Sequence, residues 1–187
     1  MIIGLHGAKQ SGKDSFFEIA RPLIRGRDVR KIAFADPIKQ EISFIFQLQD
    51  ELAYDTFKTT DIVLPSGQTV PGRHVVREIG MLMRSYDSTQ FVEYVKESIM
   101  SEPDVIWFIT DVRFRNEIEM LRRLGGVLVK IVRPSATYDG HVSEQEIEDS
   151  YCDYVVNNDS SFDEYRLKVI DIVNGIKESI EYETHLF

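Results

Sequence analysis

The sequence predicts an α/β fold in which a five-stranded parallel sheet is covered by helices on both faces. Three observations carry this prediction. Short apolar runs alternate with helical patterns along the chain, the runs at 1–6 and 105–109 are close to uninterrupted, and a glycine turn joins the first run to the first helical pattern.

Met1 to His6 is the first run, and Gly7 ends it as a buried strand entering a turn. Phe16, Ile19, Ala20 and Leu23 then recur at helical spacing, with Pro22 marking a kink or an early end. Val29 to Phe34 reads as the second strand. Asp36-Pro37 follows as an N-cap with proline at the first helical position, ahead of Ile38, Ile42, Ile45 and Phe46. The helical period is lost over 50–72, where Ile62-Val63-Leu64 and Thr69-Val70 flank Pro65-Ser66-Gly67 as a hairpin or a mobile excursion. Helices are expected near 73–85 and 88–101. Val105 to Ile109 is the third strand, followed by a helix with Ile118, Leu121 and Leu124 on one face that ends at Gly125-Gly126. Val127 to Val132 is the fourth strand and Tyr154-Val155-Val156 the fifth. Ser161 and Glu164 have capping-box spacing and open a closing helix marked by Phe162, Tyr165, Val169, Ile172 and Ile176. Phe16, Phe46, Phe162 and Tyr165 are assigned to the core, whereas Tyr54, Phe57 and Tyr86 are candidates to stack on a base.

A chain of 187 residues with 43% apolar side chains suits one domain, 1–187, with its own core. Cys152 stands alone, which excludes a disulfide framework and fits a reducing compartment. No stretch reaches the roughly 18 apolar residues of a membrane span, so a cytoplasmic protein without a membrane partner is expected, in the host cytoplasm if a phage encodes it. The net charge of −9 argues against a nucleic-acid polymer as partner. It is uneven: residues 1–40 carry eight basic and four acidic side chains, residues 134–187 three and thirteen. The positive N-terminal fifth is where an anion site is expected.

Gly7-Ala8-Lys9-Gln10-Ser11-Gly12-Lys13-Asp14 matches G-x-x-x-x-G-K and lies between the first strand and the first helix, where phosphate binding requires it. Glycines let backbone N–H groups close around a polyphosphate at a helix N-terminus, and Lys13 reaches the β and γ oxygens. Gly7, Lys9, Gln10, Ser11, Gly12, Lys13, Asp14 and Ser15 are therefore the candidates for holding ATP. Asp14 occupies the place where a hydroxyl residue usually ligates magnesium, with Ser15 next. Asp14 binds Mg2+ directly or through water, holds Lys13 or a substrate group, or serves only as a first-turn acid.

The chain resembles the bacteriophage-type deoxynucleoside monophosphate kinases among the P-loop kinases. Ser11-Gly12-Lys13-Asp14 resembles that family's variant of the loop. Phe34-Ala35-Asp36-Pro37-Ile38-Lys39 resembles the segment bordering its monophosphate site, and Arg73 through Gly80 to Arg84 its arginine-bearing helix, with Arg77 where glutamine is more usual. Trp107 to Arg113 resembles its acidic strand end followed by arginine. Val132-Arg133-Pro134 with His141 to Glu144 resembles its lid, and Asp153 to Asp159 its last strand and adenine loop.

The resemblance implies a three-layer P-loop kinase fold, with a substrate-binding excursion over about 36–100 and a short lid over about 134–150. It implies ATP and Mg2+ as cofactors, and phosphorylation of deoxynucleoside 5′-monophosphates to diphosphates. Lys13, Asp111 and Arg113 are the catalytic candidates, and Arg133 and Asn158 join the loop in holding ATP. Asp36, Lys39, Arg73, Arg77, Asp111 and Arg113 bind the acceptor, and Asp14 and Asp111 the metal. A homodimer rests on analogy alone. Two alternatives stay open: a related kinase acting on a phosphorylated small molecule such as dephospho-coenzyme A or phosphomevalonate, and a nucleotide-binding switch ATPase that uses water as acceptor.

Overall fold

The computed structural model describes residues 1–136 and 147–184, with side chains through residue 179. In chain order the first elements are β1 (Ile2–His6), α1 (Lys13–Ala20), β2 (Val29–Ile32), α2 (Asp36–Ile45), α3 (Glu51–Thr59), β3 (Asp61–Val63) and β4 (Thr69–Pro71). They are followed by α4 (Gly72–Tyr86), α5 (Gln90–Ser101), β5 (Ile106–Ile109), α6 (Arg115–Arg123), β6 (Val127–Val132), β7 (Tyr154–Asn157) and α7 (Phe162–Thr184). The chain divides into two compact units, Met1–Ala33 with Val95–Phe187, and Phe34–Tyr94.

The first unit holds the sheet, five parallel strands in the order β2-β5-β1-β6-β7. The interior runs of β1, β5 and β6 are apolar because both faces are covered. On one face Ile3, Leu5, Phe108, Val129 and Ile131 pack with Phe16, Phe17 and Ala20 of α1 and Tyr165, Val169, Val173 and Ile176 of α7. Phe17 meets Phe108 edge-on at 5.3 Å between ring centroids. On the other, Leu121 of α6 and Leu128 crowd the α-carbon of Gly4. Pro22 ends α1 early, in a tight turn over Arg21–Leu23. At the far end of α6, Gly126 donates to the carbonyl of Leu121 at 2.8 Å and Gly125 to that of Arg122 at 3.0 Å. The capping box of α7 forms as the spacing predicts: Glu164 accepts from the Ser161 amide at 3.1 Å, and the Ser161 hydroxyl accepts from the Glu164 amide at 3.3 Å. Phe162 corrects the core assignment. It is the first residue of α7 and 62% exposed, one turn too early to reach the sheet.

The second unit corrects three further expectations. Asp36 is not the cap of α2; Ala35 holds that position without a side-chain bond, and Asp36 and Pro37 are the first two helical residues. Residues 51–59 are helical. Asp50 caps α3 by accepting from the Ala53 amide at 2.8 Å, and Tyr54 and Phe57, three apart, are buried on one face. Both rings belong to this core, Phe57 meeting Phe46 at 4.6 Å, so neither is available to stack on a base, and Tyr86 is exposed. Exposed Leu52 blurs the period of this helix. β3 and β4 form the expected antiparallel hairpin, closed by Leu64 donating to Gln68 at 2.8 Å. No helix among the described residues is long and apolar enough to cross a membrane.

Candidate active site

Parallel strands deliver every βα connection to one edge, and four strands of the first unit bring predicted site residues there. β1 runs into the Gly7–Lys13 loop, β5 into Asp111 and Arg113, β6 into Arg133 and β7 into Asn158. β1 is central, so β5 lies on one side of the loop and β6 then β7 on the other.

The loop has the backbone of an anion nest. Gly7 has φ 154°, Gly12 φ 110°, and Gln10, a residue that rarely adopts it, φ 63°. A side chain at Gly7 is sterically excluded: a β-carbon there would lie 2.5 Å from the Ile131 carbonyl oxygen and from the Ser11 hydroxyl. Ser11 donates its amide to Ala8 at 3.2 Å, and Phe16 donates to Gly12 at 2.8 Å as α1 begins. Lys13 folds back over the loop and donates to the carbonyls of Gly7 at 2.7 Å and Ala8 at 2.8 Å. Lys9, Gln10 and Asp14 are exposed, Ser15 half-buried, and Asp14 stands in the first turn of α1, where a negative charge suits the helix dipole.

These features fit a phosphate chain. The cradle excludes side chains at its glycines, the loop opens onto a helix N-terminus, and the buried Ser11 hydroxyl has no hydrogen-bond partner among the described residues. For magnesium, no group of three histidine, cysteine or carboxylate ligands exists among the described residues. Magnesium needs only one or two protein carboxylates beside phosphate and water oxygens.

Buried polar groups brace this edge. Glu117, fully buried, accepts from the amides of Arg113 at 2.7 Å and Phe114 at 3.0 Å, which fixes the turn carrying the half-buried Arg113 and Asp111. His6 and Lys130 stand opposite each other in the β1–β6 register, and both are buried. His6 donates from Nδ1 to Val112, between Asp111 and Arg113, at 2.9 Å, and its Nε2 accepts from the Ile147 amide at 3.1 Å. Lys130 donates to the Ile147 carbonyl and to Asp149, each at 2.7 Å. Burial above all, then the charges of Lys130, Lys13 and Arg113, pushes His6 down to about 4 despite the Val112 bond, so the ring is neutral. Sequence reasoning passed over His6, Lys130, Glu117 and the hydroxyl of Tyr165. For His6 and Lys130 the signal was present: each is a polar residue in an otherwise apolar run.

Arg133 donates to the Gln10 carbonyl at 3.3 Å, and the Asn158 side chain donates to the Ser11 carbonyl at 2.9 Å. Within the second unit, Lys39 pairs with Glu51 at 2.7 Å and its ammonium lies 5.4 Å from the Tyr54 ring centroid. Asp36 and Lys39 line a cavity of about 370 Å³ with Gln40, Glu51 and Tyr94. Arg73 and Arg77 are half-buried, one turn apart on α4. Of the 134–150 lid, residues 137–146, with His141 and Glu144, lie outside the described residues.

Residues 88–169 match the family model described as deoxynucleotide monophosphate kinase. A protein of Acanthamoeba polyphaga mimivirus, provisionally named a deoxynucleotide monophosphate kinase, is 30% identical over 194 residues, covering 95% of this chain and 98% of that one. Among solved structures, the dephospho-CoA kinase from Campylobacter jejuni superposes with a TM-score of 0.52 at 14% identity, over 95% of this chain and 98% of the other. Shikimate kinase from Acinetobacter baumannii, in complex with shikimate, gives 0.45 at 14% identity over 95% and 93%. The superposition on the dephospho-CoA kinase, together with the five-stranded parallel sheet, shows the three-layer P-loop kinase fold. Matched along nearly the whole length of its viral relative, this chain belongs to the deoxynucleotide monophosphate kinase family and is a phosphotransferase.

Proposed function

We propose that the enzyme transfers the γ-phosphoryl group of ATP to the phosphate of a deoxynucleoside 5′-monophosphate, yielding the diphosphate and ADP. The observation that carries this reading is the Gly7–Lys13 nest at the carboxyl end of β1, with Lys13 across its mouth, in a chain of this family.

The bond from the γ-phosphorus to the β–γ bridging oxygen breaks as a bond to an acceptor phosphate oxygen forms. The acceptor is already an anion at neutral pH, so no general base is required, and the protein's task is alignment and charge. Lys13 leaves the carbonyls of Gly7 and Ala8 to meet the β and γ oxygens. Arg113, steadied through Glu117, counters the charge that spreads over the transferring group. Arg133 and Asn158 complete the ATP side with Lys9, Gln10, Ser11 and Ser15. On the family resemblance, the acceptor-binding candidates are Asp111 and Arg113 of the first unit, and Asp36, Lys39, Arg73 and Arg77 of the second. Asp14 and Asp111 would hold magnesium, which when bound offsets the negative charge of the β and γ phosphates.

The test is a panel of nucleoside and deoxynucleoside monophosphates, with dephospho-coenzyme A and phosphomevalonate alongside, incubated with Mg-ATP and resolved by chromatography. Deoxynucleoside diphosphates are the expected product. Turnover of one of the other acceptors alone, or ADP with no phosphorylated acceptor, overturns the reading.

A further inference from the structure

Three successive carbonyls of the phosphate loop, those of Gln10, Ser11 and Gly12, each take a hydrogen bond from a side chain distant in sequence. Arg133 reaches Gln10 at 3.3 Å from an exposed position. The other two are shorter: the Asn158 amide reaches Ser11 at 2.9 Å, and the Tyr165 hydroxyl reaches Gly12 at 3.0 Å. In a planar trans peptide the carbonyl and the following N–H point in opposite directions. A donor on the Ser11 carbonyl therefore sets the direction of the Gly12 N–H, and a donor on the Gly12 carbonyl sets that of the Lys13 N–H. These are the two amides at which the nest passes into α1, whose Phe16 N–H shares the Gly12 carbonyl at 2.8 Å.

Both donors are themselves held. The Asn158 backbone N–H donates to the Val132 carbonyl at 2.7 Å, and Lys168 bonds both neighbours of Asn158, the Asn157 carbonyl at 2.9 Å and Asp159 at 3.0 Å. Tyr165 is 1% exposed in the first turns of α7, where its amide donates to Ser161 of the capping box at 3.0 Å. The fit to Gly12 is close: a β-carbon on Gly12 would lie 2.6 Å from the Asn158 amide nitrogen and 3.3 Å from the Tyr165 hydroxyl. The second glycine of the loop is thus demanded by its two donors as well as by its φ of 110°.

We propose that Asn158 and Tyr165 are positioning residues for the phosphate loop, holding its Ser11 and Gly12 carbonyls from β7 and α7 so that the Gly12 and Lys13 N–H groups meet the triphosphate. The inference rests on the nucleotide-binding reading above. It separates Asn158 from a base-reading role. A residue that orients the loop acts on the triphosphate of any nucleotide, whereas a residue that reads adenine acts on the base alone.

The experiment measures binding of Mg-ATP, Mg-GTP and magnesium tripolyphosphate to the full chain, for wild type, Tyr165→Phe and Asn158→Ala, with Tm recorded for each. Tyr165→Phe keeps the ring in the core and removes only the hydroxyl. Asn158→Ala, on a different element, keeps the proposal testable if the first variant folds poorly. Each variant is expected to weaken all three ligands about five- to tenfold by a similar factor, as loss of one oriented hydrogen bond implies. Three results overturn the proposal while wild type binds: affinities within twofold of wild type with only Tm lowered, loss confined to ATP, or loss of discrimination between ATP and GTP with tripolyphosphate unchanged. Wild type that binds none of the three overturns the nucleotide reading together with it.

Discussion

Replacing His6 with asparagine keeps an N–H donor near the Val112 carbonyl while removing the group that titrates. In the folded chain the imidazole is held near 4, chiefly by burial and further by the positive charges of Lys130, Lys13 and Arg113. In the unfolded chain it protonates near its ordinary value of about 6.5. Unfolded molecules therefore take up a proton that folded molecules refuse. Above about pH 6.5 the histidine imposes no penalty; its penalty grows as pH falls toward about 4 and then levels off. A difference of roughly 2.5 pH units corresponds to about 3 kcal/mol in full, with about 1–2 kcal/mol reached by about pH 5.5 and about 2–3 by about pH 4.5. Urea unfolding followed through the fluorescence of the buried Trp107 measures this in wild type and His6→Asn across that range. The variant starts lower by about 1–3 kcal/mol, because the Ile147 amide loses its acceptor. Its stability then declines less than that of wild type on acidification, so the two curves converge. Parallel curves would refute the reasoning, since the acid sensitivity would then come from other groups.

Three further outcomes follow from the geometry. Arg113→Ala lowers kcat about 100-fold with little change in Mg-ATP affinity, as steady-state kinetics with direct binding will show; equal losses in both would move Arg113 to the ATP side. Asp50→Ala removes the cap of α3 and lowers stability by ~1 kcal/mol in denaturant unfolding. Tyr54→Ala empties a buried site, 5% exposed, and costs about 3–5 kcal/mol, whereas a base-stacking residue would raise an acceptor KM and leave stability unchanged.

The inner strands β1, β5 and β6 were legible because parallel strands covered on both faces must be apolar runs, the edge strands β2 and β7 through their place in the alternation with helices, and the phosphate loop because its glycines and lysine stand between a strand and a helix. α3 was hidden, since Leu52 points outward and leaves only Tyr54 and Phe57 to mark its buried face. The N-cap at Asp36 was misplaced by one residue, which proline in the first turn permits. The braces of the site were illegible for a different reason. His6 acts on Val112 and Ile147, and Tyr165 on Gly12, across separations of 106, 141 and 153 residues. No local pattern encodes such pairs; they arise when the sheet brings β1, β5, β6 and β7 to one edge.

The central claim is phosphoryl transfer from ATP to a deoxynucleoside monophosphate, and ATP labelled at the γ-phosphate tests it most directly. Wild type with Mg2+ and a deoxynucleoside monophosphate is predicted to move the label into the diphosphate, and Lys13→Ala to abolish that transfer while keeping its Tm. Label appearing only as inorganic phosphate, or transfer undiminished in Lys13→Ala, would contradict the account.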